Sequence, residues 1–389
     1  MKDLSIYFIP DSEPTHYTNQ QIGSMLKVNS VNGGFPEIDL PGIALIFVPE
    51  YRQGEGADEY KFWVQAFRAA FAKQYLGDWK STIYNLGTIV PGNEVMDTYM
   101  ALVDVVTELS KKNIIPLIIG GSQDLTFAIY KAYEKLEQTI NLIAVDAELD
   151  MGDPEDDIHA RGWLNKIILH KPNYLFNFSL FGYQSNLISR EEMKLLDELY
   201  FDHYRLGEFY SNQRMAEPLL RNADILSFDL NAIKSADYRG NSTFLPNGFY
   251  GEDACRVMRY AGMSDKLSAL GLFNYSQAEL QSDQRSDINL LAQMVWYFIE
   301  GYNLRKKDYP VGSKSAYLKY RVNIDDFKDE IVFYKSNKSS RWWMEVPYPN
   351  VKGVKLQRHL LVPCDYEDYE NALNNELPDL WLRTYRKLS

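Results

Sequence analysis

Six short apolar runs, at residues 43–48, 114–119, 140–145, 175–181, 225–230 and 267–272, restrict this chain more than any other feature. They are rich in Ile, Leu, Val and Phe and show little polar alternation, the pattern of strands buried on both faces. Between them lie stretches with apolar residues at helical spacing. Residues 60–74 carry Phe62, Trp63, Ala66, Phe67, Ala70 and Phe71 in this way. Residues 94–109 carry a longer stripe that includes Tyr99, Leu102, Val106 and Leu109. Further helices are predicted over 125–136, 251–261 and 289–302. Strands alternating with helices call for right-handed crossovers, and so for a mainly parallel sheet. The predicted fold is a three-layer α/β structure with that sheet flanked by helices. Ligand sites in such sheets lie beyond the carboxyl ends of the strands.

Three of those ends carry polar motifs. The run at 114–119 ends in Gly120-Gly121-Ser122-Gln123-Asp124, and the run at 140–145 in Asp146-Ala147-Glu148-Leu149-Asp150. Ser227-Phe228-Asp229-Leu230-Asn231 closes the run at 225–230. Side chains alternate along an extended chain, so Asp146, Glu148 and Asp150 point the same way. Three carboxylates at one strand end are costly unless water, protons or cations relieve them. They read as a metal site or as the remains of one. Structural uses compete with that reading. Asp146 and Asp150 can cap the following loop, Asp124 suits a helix N-cap, and Asn231 suits a turn. The glycine pair lacks the Gly and Lys of a phosphate loop, so a close turn is the better reading.

The chain divides on composition into an irregular lead-in (1–40), an α/β domain (41–310) and an extension (311–389). The extension holds 13 Lys+Arg against 11 Asp+Glu, whereas the whole chain carries a net charge of −12. It is also aromatic, and residues 331–334 and 341–346 are predicted to pair as a hairpin. This surface suits intramolecular packing, oligomerisation or a partner. The overall acidity argues against nucleic acid and against anionic membranes. No apolar run approaches the roughly 20 residues of a membrane helix. A leader with a basic start and a long apolar stretch is not evident, and Cys255 and Cys364 make no metal pair. A cytoplasmic protein without a disulfide is expected.

The order of these motifs resembles the ureohydrolase superfamily of arginases, agmatinases and formimidoylglutamases. Its members carry Gly-Gly-Asp-His-Ser, Asp-Ala-His-x-Asp and Ser-x-Asp-x-Asp, each after a strand. The three strand-end motifs above occupy those places. Asn247-Gly248-Phe249-Tyr250-Gly251-Glu252 and Gly271-Leu272-Phe273-Asn274-Tyr275-Ser276 echo two later family segments. The likeness spans roughly residues 40–305. It implies an arginase-like fold and a two-manganese centre whose bridging hydroxide attacks a guanidinium or amidine carbon.

The departures bear on function. The family's first histidine ligand falls on Gln123, its second on Glu148, and one aspartate on Asn231. The glutamate that holds the substrate cation falls on Ser276, with Glu279 three residues on. His159 stands nearest to the family's active-site-loop histidine. The resemblance therefore implies a metal set of Asp146, Glu148, Asp150, Asp229, Gln123 and Asn231, all oxygen donors. Such a set suits Mn²⁺ or Mg²⁺ at partial occupancy, or no ion at all. His159 and Ser276 are the weaker candidates for catalysis. The first expectation is a non-catalytic protein that binds or scaffolds a small molecule or a protein partner, with a homo-oligomer as one form. The alternative is an active metal-dependent hydrolase of linear amidine C–N bonds, such as that of formimidoylglutamate.

Overall fold

Residues 2–11, 16–54, 60–240, 243–275, 286–310, 314–325, 327, 330–347 and 354–388 are described by the computed structural model. Among them, ten strands make one sheet. In chain order these are β1 (Phe8–Ile9), β2 (Lys27–Val28), β3 (Gly42–Phe47), β4 (Thr82–Ile89), β5 (Ile114–Ile119), β6 (Ile140–Val145), β7 (Leu175–Tyr183), β8 (Asp202–Arg205), β9 (Ile225–Asp229) and β10 (Ala269–Phe273). They lie in the order β1-β4-β3-β5-β10-β9-β6-β7-β8, with β2 also beside β4. Only β1 runs antiparallel to its neighbour.

Helices cover both faces: α1 (Tyr60–Ala72), α2 (Val95–Lys111), α3 (Leu125–Lys135), α4 (Trp163–Leu169), α5 (Arg190–Glu198), α6 (Leu206–Ser211), α7 (Ala216–Arg221), α8 (Gly251–Met263) and α9 (Ser286–Asn303). The mainly parallel, helix-flanked sheet predicted from the alternation is thus present. Its strands feed two separate cores. Leu45, Leu117 and Leu226 pack with Trp63, Val257 and Val295 from α1, α8 and α9. Ala44, Ile46 and Ile118 pack on the other face with Leu102, Ile129 and Leu164 from α2, α3 and α4. Successive side chains enter opposite cores, which is why the strands read as unbroken apolar runs.

Within the first 40 residues, expected to be irregular, two strands of two residues each, β1 and β2, lie beside β4. The strand they join, β4, had no clear apolar signature. Asn85 and Gly87 interrupt it, and both are used. Asn85 Nδ2 donates to the buried Asp11 carboxylate at 2.6 Å. Gly87 has φ +97°, and a Cβ there would stand 2.4 Å from the Ile9 carbonyl oxygen. Only glycine lets β1 approach so closely.

The extension builds its own antiparallel sheet from β11 (Tyr317–Val322), β12 (Ile331–Ser336), β13 (Trp342–Glu345) and β14 (Leu361–Cys364), in that order. The predicted hairpin is β12–β13, with Tyr334 opposite Trp343. Helices α10 (Tyr366–Leu373) and α11 (Asp379–Leu388) follow. Phe333, Trp342, Met344 and Trp381 form a third core beneath them.

This layer docks under the amino ends of the central strands. Arg358 pairs with Asp224, just before β9, and donates to the Thr139 carbonyl, just before β6, at 2.6 Å. The buried His359 ring stacks on Phe176 at 3.9 Å between centroids, and burial holds its imidazole neutral, well below the usual histidine range. Lys387 reaches Asn177 near the start of β7. The guanidinium of Arg221, at the end of α7, donates to the Trp342 carbonyl at 3.0 Å and to the Cys364 carbonyl at 3.1 Å. Among the described residues, no helix is long and apolar enough to cross a membrane. Cys255 and Cys364 are both free and buried.

Candidate functional site

Strand order brings the polar motifs together. β10, β9 and β6 are neighbours in the sheet, and their carboxyl ends carry Asn274, Asp229 and Asp146. β5, on the other side of β10, ends in Gly120-Gly121, with φ +91° and +78°. These left-handed residues turn the chain sharply into α3. A Cβ on Gly121 would stand 2.8 Å from the Val48 carbonyl oxygen, so a side chain has no room there.

The result is a cleft of about 190 Å³ beyond the strand ends. Asp146, Glu148, Asp150, Asp229 and Asn231 all line it, and so does His159 from the following loop. Acidic side chains that follow two separate strands therefore share one cleft. Gln123 is fully buried but does not line the cleft. Its amide Nε2 donates to Ser227 Oγ at 3.3 Å, while its Oε1 accepts no hydrogen bond. Ser276 and Glu279 fall outside the described residues. Asp124 stands at the N-cap of α3 but makes no cap bond; its carboxylate accepts from the Tyr99 hydroxyl instead.

Each of the three aspartates spends an oxygen on the protein. Asp146 Oδ1 accepts from the Glu148 amide at 3.0 Å, and Asp229 Oδ1 from the Asn231 amide at 2.8 Å. Asp150 Oδ2 accepts from the Trp163 indole at 2.9 Å. The turn-capping use expected for Asp146 thus coexists with its place in the cleft. Burial dominates the electrostatics, and the neighbouring carboxylates add to it. Asp146 is pushed up to about 7, with Glu148 contributing repulsion. Asp150 rises well above the carboxylate range through burial, then through the charges of Asp146 and Asp229. Asp229 rises for the same reasons, against a hydrogen bond from Asn274.

A pH dependence follows. A carboxyl with a raised folded-state pKa holds its proton more firmly in the folded chain than in the unfolded one. The stability this adds is complete below the ordinary value of 3.8 and is lost as pH rises through about 7. For metal-free protein, the urea midpoint is expected to fall between about pH 4 and 7. Asp146→Asn is expected to shrink that fall. An equal slope in both proteins would refute the assignment.

The donor set differs from the one the family resemblance implies. Divalent ions need deprotonated ligands, and an all-oxygen shell suits Mg²⁺, Ca²⁺ or Mn²⁺. Gln123 and Glu148 supply no imidazole, and the buried Gln123 carbonyl accepts no hydrogen bond. Among the described residues, no three His, Cys, Asp or Glu side chains are grouped to hold an ion. His159 stays at the rim, 3.8 Å from the Asp156 carboxylate. Tyr51, Arg161, Asn274 and Tyr275 also line the cleft. Sequence reasoning passed over them as candidates, although Tyr51 and Asn274 each follow a strand end, where such sites form.

Comparison with known proteins fits this geometry. Residues 43–299 match the model of the Arginase family. A Trypanosoma cruzi formiminoglutamase solved with Mn²⁺ superposes at a TM-score of 0.60 and 17% identity, over 68% of this chain and 94% of that one. The Bacillus subtilis formimidoylglutamase superposes at 0.64 and 13% identity, over 75% and 96%. The agmatine ureohydrolase of Thermoplasma volcanium gives 0.56 and 17% identity, over 73% and 94%. Comparison with curated proteins gives no match.

Proposed function

This chain belongs to the arginase family, and on that premise we propose that it is a non-catalytic, cytoplasmic member that acts by binding. The cleft at the strand ends takes a small-molecule ligand or a partner segment, without a dimetal centre. One observation carries this reading. Gln123, where the family has its first histidine ligand, offers no imidazole: its amide donates to Ser227 and lies against Asp146. Glu148 and Asn231 remove a second imidazole and a carboxylate from the set. Catalysis through a metal-bound nucleophile tolerates little displacement of the groups that position it. What remains is a compact acidic cleft in which the carboxylates are held by backbone and indole donors. Protons, or a ligand with cationic groups, relieve their mutual repulsion.

The test measures metal and turnover together. After dialysis against manganese, the purified chain is expected to retain less than about one ion per molecule. Urea or formamide release from arginine, agmatine or formimidoylglutamate is expected to equal that of an Asp146→Ala control. Turnover above the control would overturn the proposal. It would favour instead a hydrolase of linear amidine C–N bonds, the activity named for the formiminoglutamase structures.

A further inference from the structure

The sheet of the extension has an open edge. β11 is its last strand and pairs with β12 on one side. Among the described residues, the backbone groups that point away from β12 have no ladder partner. The edge spans six residues, roughly 20 Å, without a register shift. All of it lies beyond the 43–299 span shared with the family.

An aromatic shelf flanks this edge. The Tyr320 ring, on β11, meets Trp342 at 5.1 Å and Tyr369 of α10 at 5.2 Å between centroids. Asn375, just past α10, donates its side-chain amide to Asp325, just past β11, at 3.0 Å. Helix and strand therefore run side by side. Tyr366 and Leu373 share one face of α10 with Tyr369, through spacings of three and four residues. They are 51% and 56% exposed, and Leu318, on the same face of β11 as Tyr320, is 50% exposed. Exposed apolar side chains beside an unpaired backbone edge suit an extended peptide that adds as a further strand.

Charge selects the occupant. Lys319 and Arg321 stand on the other face of β11, and both are exposed. Lys319 forms no ion pair among the described residues, and Arg321 shares only an exposed pair with Glu330 at 3.1 Å. Antiparallel pairing of two copies about the middle of β11 would set Lys319 against Lys319 or Arg321. Like charges directly opposite each other disfavour such a pair. An acidic strand meets the opposite condition.

We propose that β11 takes an acidic, extended peptide segment of a partner protein as a fifth strand of this sheet. Carboxylates at alternate positions of the peptide lie over Lys319 and Arg321. Apolar side chains between them lie over Leu318, Tyr320 and the exposed stripe of α10.

Fluorescence anisotropy with a labelled, capped nine-residue peptide alternating Val and Glu tests this on the full chain. Saturable binding is expected. Peptides alternating Val with Lys, or Ser with Glu, are each expected to bind at least about tenfold more weakly, having lost the charge match or the apolar face. Lys319→Glu with Arg321→Glu is expected to reverse the preference between the Glu and Lys peptides, a result that a misfolded variant cannot give. Hydrogen exchange read by mass spectrometry is expected to slow over residues 317–322 when the Val and Glu peptide binds. No saturation, an unchanged preference in the charge-reversed variant, or binding without slowed exchange over 317–322 would each overturn the proposal. Self-association that slows the same amides without peptide would assign the edge to a second copy and overturn it too.

Discussion

A variant carrying Gln123→His, Glu148→His and Asn231→Asp is expected to bind manganese on the order of 100-fold more tightly than the natural chain. The argument is one of donors and reach. Two neutral or weakly matched oxygen donors become imidazoles, and a third position regains a charged ligand. The frame that would hold them is already in place, because β6, β9 and β10 set Asp146, Asp229 and Asn274 side by side. The Gln123 site is the demanding one. It is fully buried, and the new ring has to leave Ser227 and turn toward the cleft. Thr126 Oγ1, 2.7 Å from Ser227 Oγ, can satisfy that hydroxyl once the amide is gone. Competition titration with a fluorescent chelator checks the outcome. Unchanged affinity would mean that these positions do not correspond to the family's ligands, and the reading of a lost metal centre would fall with it.

Arg221→Ala is expected to destabilise the whole chain by about 3–5 kcal/mol, the usual cost of removing one member of a buried charged network. Arg221 is 4% exposed and ties the two parts of the molecule together. Its guanidinium holds the carbonyls of Trp342 and Cys364, pairs with Glu217 at 3.1 Å and lies 4.5 Å over the Trp343 ring. Truncation leaves two buried carbonyls without donors. Arg341, at 2.9 Å from Glu217, keeps that carboxylate paired, so the loss is concentrated at the interface. A lowered urea midpoint with a single transition shows that the extension is part of the cooperative unit. Two separated transitions would show that it folds independently, and a midpoint within about 0.5 kcal/mol of the natural chain would refute the role given to Arg221.

The sheet's interior was legible because burial on both faces leaves a plain signature. β3, β5, β6 and β9 have every side chain buried, and no polar residue had to be explained away in the runs at 43–48 and 114–119. The edges were not legible. β4 hides behind Asn85 and Gly87, whose roles depend on Asp11 and Ile9 from a distant stretch of chain. β8 is four residues long and grades from the buried Asp202 to the exposed Arg205. The site showed the same division. Asp146 and Asp229 could be placed from strand-end position and topology, whereas Asp150 lies in the bent loop that follows β6 at Val145, where strand alternation no longer applies. The fate of Gln123 could not, because its amide is directed by Ser227, which lies 104 positions further on. Asn274, with φ +59°, joins the cleft through a backbone bond to Gly121, another long-range contact without a local trace.

The docking of the extension beneath the amino ends of the strands has a further consequence. β6 spans six residues, so Thr139 and Asp146 stand roughly 20 Å apart along it. A ligand in the strand-end cleft would never touch the extension docked below. Any influence of one region on the other has to pass through the sheet between them.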